Sequence, residues 1–256
     1  MEHVFENNMV VYDDPNIVLI MAGGLGKRMN SDIPKVLHVL NGLPLIVHVV
    51  KSALLINDSP VIYIIVGSFR DQIEKTVNAH FGFNSRIRFI DQPEPLGTGH
   101  AIGCCIKELN EYSKKVKVLI LSGDVPLFSA KYMCELLTTC RKTTIVSTTI
   151  ENPFGYGRII EKDGKFVRIT EEKDCSEEEK AICKVNCGIY VFENELLCKN
   201  LPLIQNNNAQ NEYYLTSIFE TIQCEVDLFE VSSENQHQVC GINTCEQLEQ
   251  MRFKSD

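Results

Sequence analysis

Ile17-Val18-Leu19-Ile20-Met21-Ala22-Gly23-Gly24-Leu25-Gly26-Lys27-Arg28-Met29, with Pro34-Lys35 close behind, is the stretch on which the reading of this chain turns. An apolar run of strand length stops at a loop with three glycines, and cations follow at 27, 28 and 35. Glycine permits positive φ and lets a ligand approach the main chain closely. Successive N–H groups in such a turn can cradle an anion, and Lys and Arg add charge. The loop is therefore either a plain turn or a nucleotide-phosphate grip at the C-terminal edge of the first strand of an open sheet. In the second case Ala22, Gly23, Gly24 and Gly26 supply backbone, and Arg28 and Lys35 supply charge. Two better-known glycine loops are excluded. The dinucleotide fingerprint G-x-G-x-x-G fails because Met29 stands where its last Gly belongs, and the P-loop fails because Arg28 follows Gly26-Lys27 and Met21 holds the place of its first Gly.

With 256 residues, 44% apolar and 23% charged, the chain has the composition of a globular protein with a real core. A net charge of -9 disfavours nucleic acid or an anionic membrane as partner, while leaving room for a local basic site. The first 16 residues are polar and acidic, expected as a loose extension with no signal-peptide core, and no apolar run reaches transmembrane length. Eleven scattered Cys without paired short spacings point to free thiols in a reducing cytosol, hence a cytoplasmic protein. Cys183 and Cys187 in a strand-like run, and Cys104-Cys105 in a helix, read as packing.

Downstream, strands and helices alternate. Strands are expected at 17–21, 61–66, 87–90, 116–121 and 143–150, with a short extended piece at 36–40. Helices are expected from Pro44 to about 56, over 71–79, from the Gly97 loop to about 109, and from Ser129 to about 139. That order means a parallel sheet with crossover helices. After 150 the pattern changes to a hairpin across Asp163-Gly164, a charged loop or short helix over 171–180, a long strand over 182–192, an Asn-rich loop, a helix over 212–222, a strand over 226–231 and a last helix over 244–251 with Thr244 as its cap. The fold class is α/β: a Rossmann-like open, mixed, mostly parallel twisted sheet flanked by helices, with one domain over 17–256 divided into a nucleotide half, 17–150, and a more antiparallel second half, 151–256.

Several residues stand where chemistry is done in such a sheet. Asp124 follows a buried strand, on the edge where ligands bind; it is either a cap or a Mg²⁺ ligand, since Mg²⁺ takes one or two carboxylates plus phosphate oxygens. Asn243, in Gly241-Ile242-Asn243, is either a turn residue or a second oxygen ligand. Gln92 ends a strand on the same edge with the donor and acceptor a pyrimidine requires, and Gly97-Thr98-Gly99 brings backbone near a flat base. Gly155-Tyr156-Gly157-Arg158, Glu171, Asn186 and Tyr213-Tyr214-Leu215-Thr216 are small or polar groups in apolar segments, suited to sugar hydroxyls or to packing. No His has a nucleophile partner at a telling position.

Taken together these pieces resemble the sugar nucleotidyltransferases, above all the N-terminal uridyltransferase domain of the bacterial bifunctional N-acetylglucosamine-1-phosphate uridyltransferases. The matching segments are Gly24-Leu25-Gly26-Lys27-Arg28-Met29, Ser31-Asp32-Ile33-Pro34-Lys35-Val36-Leu37-His38, Leu96-Gly97-Thr98-Gly99-His100-Ala101, Gly123-Asp124-Val125-Pro126-Leu127, Gly155-Tyr156-Gly157-Arg158-Ile159, Asn206-Asn207-Asn208-Ala209-Gln210-Asn211-Glu212-Tyr213-Tyr214-Leu215-Thr216 and Gly241-Ile242-Asn243. The resemblance implies a nucleotidyltransferase (glycosyltransferase-A-like) fold, UTP and N-acetylglucosamine 1-phosphate as substrates, and Mg²⁺ as cofactor. It implies that Arg28 and Lys35 hold the phosphates and that Gln92, Gly97 and Thr98 meet the uracil. Asp124 and Asn243 would hold the metal, and Gly157, Glu171, Asn186, Tyr214 and Thr216 would line the sugar pocket of a sugar-binding half, 151–256, with Lys173 near the sugar phosphate. Gly23, Leu25 and Lys27 depart from the usual Ala, Lys and Thr, and Cys187 from a usual Thr. The sequence ends where that family's C-terminal β-helix begins, so acetyltransferase activity and the β-helix trimer are expected to be absent, leaving a monomer or weak homo-oligomer.

Overall fold

The computed structural model describes residues 15–24, 26–29, 31–57, 60–139 and 143–252; the expected extension over 1–16 lies almost wholly outside them. Strand β1 (Ile17–Met21) enters the glycine loop, which carries 3-10 turns at Lys27–Met29 and Lys35–Leu37. A two-strand ribbon follows, β2 (Val39–Leu40) with β3 (Leu43–Pro44), then α1 (Leu45–Leu54), β4 (Val61–Val66), α2 (Arg70–Phe81) and β5 (Ile87–Asp91). The expected extended piece at 36–40 is thus half 3-10 turn, and Pro44 ends the ribbon rather than opening the helix. Its ψ of 147° is extended, and its missing N–H costs nothing one residue before a helix.

Next come α3 (Thr98–Gly103), α4 (Ile106–Leu109), β6 (Lys117–Ser122), α5 (Ala130–Thr139) and β7 (Thr143–Thr149). The single helix expected to about 109 is therefore two, and Cys104-Cys105 sit in the break instead of inside a helix. The hairpin β8 (Arg158–Lys162) and β9 (Lys165–Thr170) turns on Asp163 and Gly164 with φ of 52° and 71°, as anticipated for a primed turn. Then follow α6 (Glu177–Lys180), β10 (Lys184–Glu193), α7 (Asn194–Asn200), β11 (Asp227–Val231) and α8 (Cys245–Arg252). α7 lies where the sequence pattern predicts no helix. The pattern also predicts an α-helix over 212–222, where only a 3-10 segment, Leu215–Glu220, exists. Residues 212–214 stay extended because their backbone groups are spent elsewhere: Tyr213 N–H donates to Leu96 O at 2.8 Å, and Tyr213 O accepts from Gly99 N–H at 2.7 Å.

The main sheet has nine strands in the order β11-β7-β10-β6-β1-β4-β5, with β8 and β9 branching from β10. β6, β1, β4 and β5 are parallel, so their C-terminal ends share one edge. β10 inserts antiparallel between β6 and β7. The parallel run was expected; the insertion was not, and it carries the start of β10 to the same edge. β1 is buried on both faces, with Val18 and Ile20 in one core layer and Ile17 and Leu19 in the other. A third, smaller cluster matters more for the site. Met29, Leu40, Leu45, Ile242, Leu248 and Met251 clamp the end of the glycine loop to α8 and the loop before it. Met29 is 1% exposed, and burial of such a side chain contributes about 2 kcal/mol.

Candidate active site

The parallel edge gathers four strand ends. After β1 the chain runs through Ala22, Gly23, Gly24 and Gly26 to Lys35; after β4 comes Gly67, after β5 Gln92, and after β6 Gly123 and Asp124. The glycines let these loops touch. A side chain at Gly26 (φ 63°) would stand 2.5 Å from Lys35 Cβ, and one at Gly23 2.9 Å from Gln92 Oε1. Gln92 Nε2 donates to Gly97 O at 3.1 Å, which fixes the amide with its oxygen against Gly23. These loops line a cavity of about 580 Å³ that includes Gly23, Gly24, Gly26, Lys35, Gln92, Gly97, Thr98 and Asp124. Ala22 is buried beneath it, its N–H held by Ile65 O at 2.8 Å. From the second half Lys173, Gln210 and Glu212 close the cavity.

Asp124 is 8% exposed and centrally tied. Ser122 Oγ donates to its Oδ1 at 2.6 Å, Lys35 Nζ pairs with its Oδ2, and its backbone oxygen accepts from Ile242 N–H at 2.9 Å. Burial alone would raise the carboxyl pKa; the Lys35 charge and hydrogen bond, with Ser122, outweigh it and hold Asp124 below the usual range as a carboxylate. Asn243 Oδ1 accepts from Lys35 Nζ at 3.0 Å and from Arg28 Nη2 at 2.9 Å. The cap of α8 fixes this loop: Gln247 N–H donates to Thr244 Oγ1 at 3.2 Å, while Gln247 Oε1 accepts from Thr244 and Asn243 N–H. Two oxygens, from Asp124 and Asn243, thus face one cationic group. A pair of hard oxygens with the remaining positions left to phosphate and water suits Mg²⁺, and among the described residues no cluster of three His, Cys, Asp or Glu offers a closed metal site.

A second pocket, about 190 Å³, opens on the other side of Asp124. Gly157, Glu171, Asn186 and Thr216 line it, and Met21, Thr98, Ser122 and Asp124 belong to both cavities. Thr216 Oγ1 donates to Glu171 Oε1 at 2.8 Å. Burial pushes the Glu171 carboxyl up; Thr216 acts against the rise, and Asp174 and Glu212 add to it. Asn186 N–H donates to Gly157 O at 2.9 Å, and the Asn186 amide is held by Tyr190 and Gly188. Thr98 ties the two cavities: its Oγ1 accepts from Leu215 N–H at 2.9 Å, and a side chain at Gly97 (φ 114°) would stand 2.5 Å from Tyr213 O.

Three expected residues sit apart. Arg28 lines neither cavity; it bonds Asn243 and lies against Gly155 of the small pocket, where an added side chain would stand 3.1 Å from its Nη1. Tyr214 lines a neighbouring cavity of about 560 Å³ with Asp174 and Asn208, and burial pushes its hydroxyl up to about 12. Arg158, placed by the reading among candidate sugar contacts, is 1% exposed and turns inward. It pairs with Glu172 at 2.8 Å and donates to Tyr156 O, which braces the 155–157 loop from behind. Ser122, Tyr190, Gln210 and Glu212 also line the two cavities, with no role expected for them from the sequence. Ser122 carried a signal, a hydroxyl two residues before Asp124; the others reach the site only through tertiary contacts. The Asn-rich loop is local architecture: Asn208 Oδ1 accepts from Gln210 and Glu212 N–H at 3.2 Å each, and its Nδ2 donates to Glu212 O at 2.6 Å.

A family model described as nucleotidyl transferase matches residues 17–232. A probable UDP-N-acetylglucosamine pyrophosphorylase of Acanthamoeba polyphaga mimivirus is 39% identical over 241 residues, covering 91% of this chain and 93% of the viral protein. The bifunctional protein GlmU of Thermoanaerobacter pseudethanolicus is 40% identical over 240 residues, covering 91% of this chain and 50% of the bacterial one. The chain thus spans about half the length of that bifunctional relative. Among solved structures, a putative glucose-1-phosphate thymidylyltransferase from Bacillus anthracis superposes with a TM-score of 0.69 at 17% identity, covering 93% of this chain and 94% of that one, which shows a shared fold.

Proposed function

The chain belongs to the nucleotidyl transferase family, and from that premise we propose that it transfers UMP from UTP to N-acetylglucosamine 1-phosphate, giving UDP-N-acetylglucosamine and pyrophosphate. The observation that carries the reading is Asp124, a buried carboxylate common to the two cavities. A two-substrate displacement needs such a meeting point, with a nucleotide on one side and a sugar phosphate on the other.

The sugar phosphate oxygen attacks the α-phosphorus, and the bond to pyrophosphate breaks in line. The attacking oxygen is already an anion, so no general base is required. Repulsion between anions and misalignment make the barrier. Lys35 and Arg28 bind the phosphates and offset their charge. Bound phosphates would draw Lys35 from Asp124, and the carboxylate and Asn243 Oδ1 would then be free to hold Mg²⁺. When bound there, Mg²⁺ supplies electrostatic stabilisation to the phosphate oxygens. Gln92 and the Gly97-Thr98 backbone orient the uracil. Glu171, Asn186, Thr216 and Gly157 orient the sugar, and Lys173 faces its phosphate. Tyr214 shapes the wall behind Thr216.

A panel of nucleoside triphosphates crossed with hexose 1-phosphates tests this, read by pyrophosphate release. UTP with N-acetylglucosamine 1-phosphate should give the highest kcat/KM. Failure with that sugar and turnover with another would overturn the substrate, and turnover with thymidine triphosphate in preference to UTP would overturn the base.

A further inference from the structure

One hydroxyl in the small pocket has no part in the reaction as proposed. Tyr190 is 3% exposed, and its ring packs with Phe192 and Phe219, centroids 6.2 and 5.9 Å away. The register of β10 against β7 shifts between Asn186 and Tyr190, and Gly188 within that bulge has φ of 70°. The irregularity brings the Tyr190 hydroxyl and the Asn186 amide together.

The direction of that hydrogen bond is forced. Gly188 N–H can only donate, so the Asn186 atom it meets at 3.1 Å is the oxygen. Nδ2 therefore faces Tyr190 at 2.7 Å, and the phenol oxygen accepts. A hydroxyl that accepts here aims its own proton elsewhere. Burial, with the Glu171 charge behind it, keeps that proton on the oxygen by raising the phenol's pKa. Tyr190 lines the same pocket as Asn186, Glu171 and Thr216, and Glu171 Oε1 already takes the Thr216 hydroxyl.

We infer that Tyr190 is a specificity-determining residue. Its oxygen holds the Asn186 amide, and its proton goes to an acceptor oxygen on the hexose ring or its acyl substituent, beside the second Asn186 N–H. This rests on the reading of the small pocket as the sugar site. A hexose 1-phosphate lacking that oxygen leaves a buried donor unpaired and is disfavoured.

Tyr190→Phe removes the oxygen and keeps the ring. Against the hexose 1-phosphate that the wild type turns over fastest, KM for the sugar phosphate should rise about tenfold, with kcat and KM for the nucleotide within about twofold of wild type. Calorimetry with the nucleotide-sugar product should show the same weakening. In an Asn186→Ala background Tyr190→Phe should cost clearly less than it does alone, because the two side chains act together. An unchanged sugar KM and product affinity would overturn the inference, and so would an equal rise in both substrate KM values or full additivity with Asn186→Ala. If the fastest sugar is not N-acetylglucosamine 1-phosphate, the proposed substrate falls, and the Tyr190 comparison still gives its own answer.

Discussion

The two sides of the cleft are built from different material. On the proposed nucleotide side the walls are largely backbone: glycines at the ends of parallel strands lie close enough that side chains added at Gly23, Gly26 or Gly97 would collide, and Lys35 and Lys173 carry the charge. On the proposed sugar side the walls are side chains bonded to one another, Thr216 to Glu171 and Asn186 to Tyr190, braced from behind by Arg158 and Glu172. A backbone cradle grips any triphosphate without choosing among sugars. A network of fixed donors and acceptors chooses, because each mismatched ligand strands a buried polar group. Affinity for phosphate and selectivity for sugar are therefore separable, and substitutions should separate them.

The largest effect is expected where the sides meet. Asp124→Ala removes the proposed metal ligand, a carboxylate shared by both cavities, and kcat should fall a thousandfold or more, read by Mg²⁺-dependent pyrophosphate release. Near-normal turnover would break the claim that one carboxylate serves both sides. Glu172→Ala comes next and should act on stability: it leaves the buried Arg158 guanidinium without its carboxylate, for a loss of about 3 kcal/mol in urea unfolding at neutral pH. The pH dependence has a definite sign. Burial opposes ionisation of Glu172, but the Gly155 N–H and Arg158 outweigh it and lower the folded pKa below 4.5. The stabilisation is thus complete above that value and is lost as pH falls through the folded pKa, so wild type and variant should converge in acid below it. A gap that persists in acid would show that the loss is packing rather than charge.

Lys35→Ala should cost about a hundredfold in kcat/KM for UTP with the urea midpoint little changed, since the residue's partners are site groups. An equal loss measured against the sugar phosphate alone, with UTP saturating and unaffected, would reverse the assignment of sides. Thr98→Val is the mildest. It deletes the hydroxyl that accepts from Leu215 N–H across the cleft, for about 1 kcal/mol of stability and a small rise in both KM values. A change confined to one substrate would mean the stitch belongs to one side only.

The same contrast explains what could be read from the chain. Strand ends on a parallel edge follow their loops directly in sequence, so 17–21 with its glycines, Gln92 and Asp124 were legible from local pattern. The sugar side depends on the direction and neighbours of β10, which no local pattern encodes; hydrophobicity gives a long strand and nothing about its antiparallel place. Tyr190 passes unnoticed for that reason, and Arg158 stands open between a sugar contact and packing until the fold shows it buried. Residues 212–214 were misread as helical because their periodicity is apolar enough, while the bonds to Leu96 and Gly99 that keep them extended span more than a hundred residues.

The inserted strand also orders events during synthesis. When the chain has been made as far as β7, that strand has nothing to pair with: its sheet neighbours are β10 and β11, both still to come. The Lys117–Ser122 strand meanwhile carries an open apolar edge, the kind that templates aggregation. Closure waits for β10, some seventy residues later, to slide between two strands already made. Non-local pairing of that kind is slow. The arrangement that carries Asn186 to the same edge as Asp124 thus leaves the nascent chain dependent on whatever shields that edge until residue 193 has emerged.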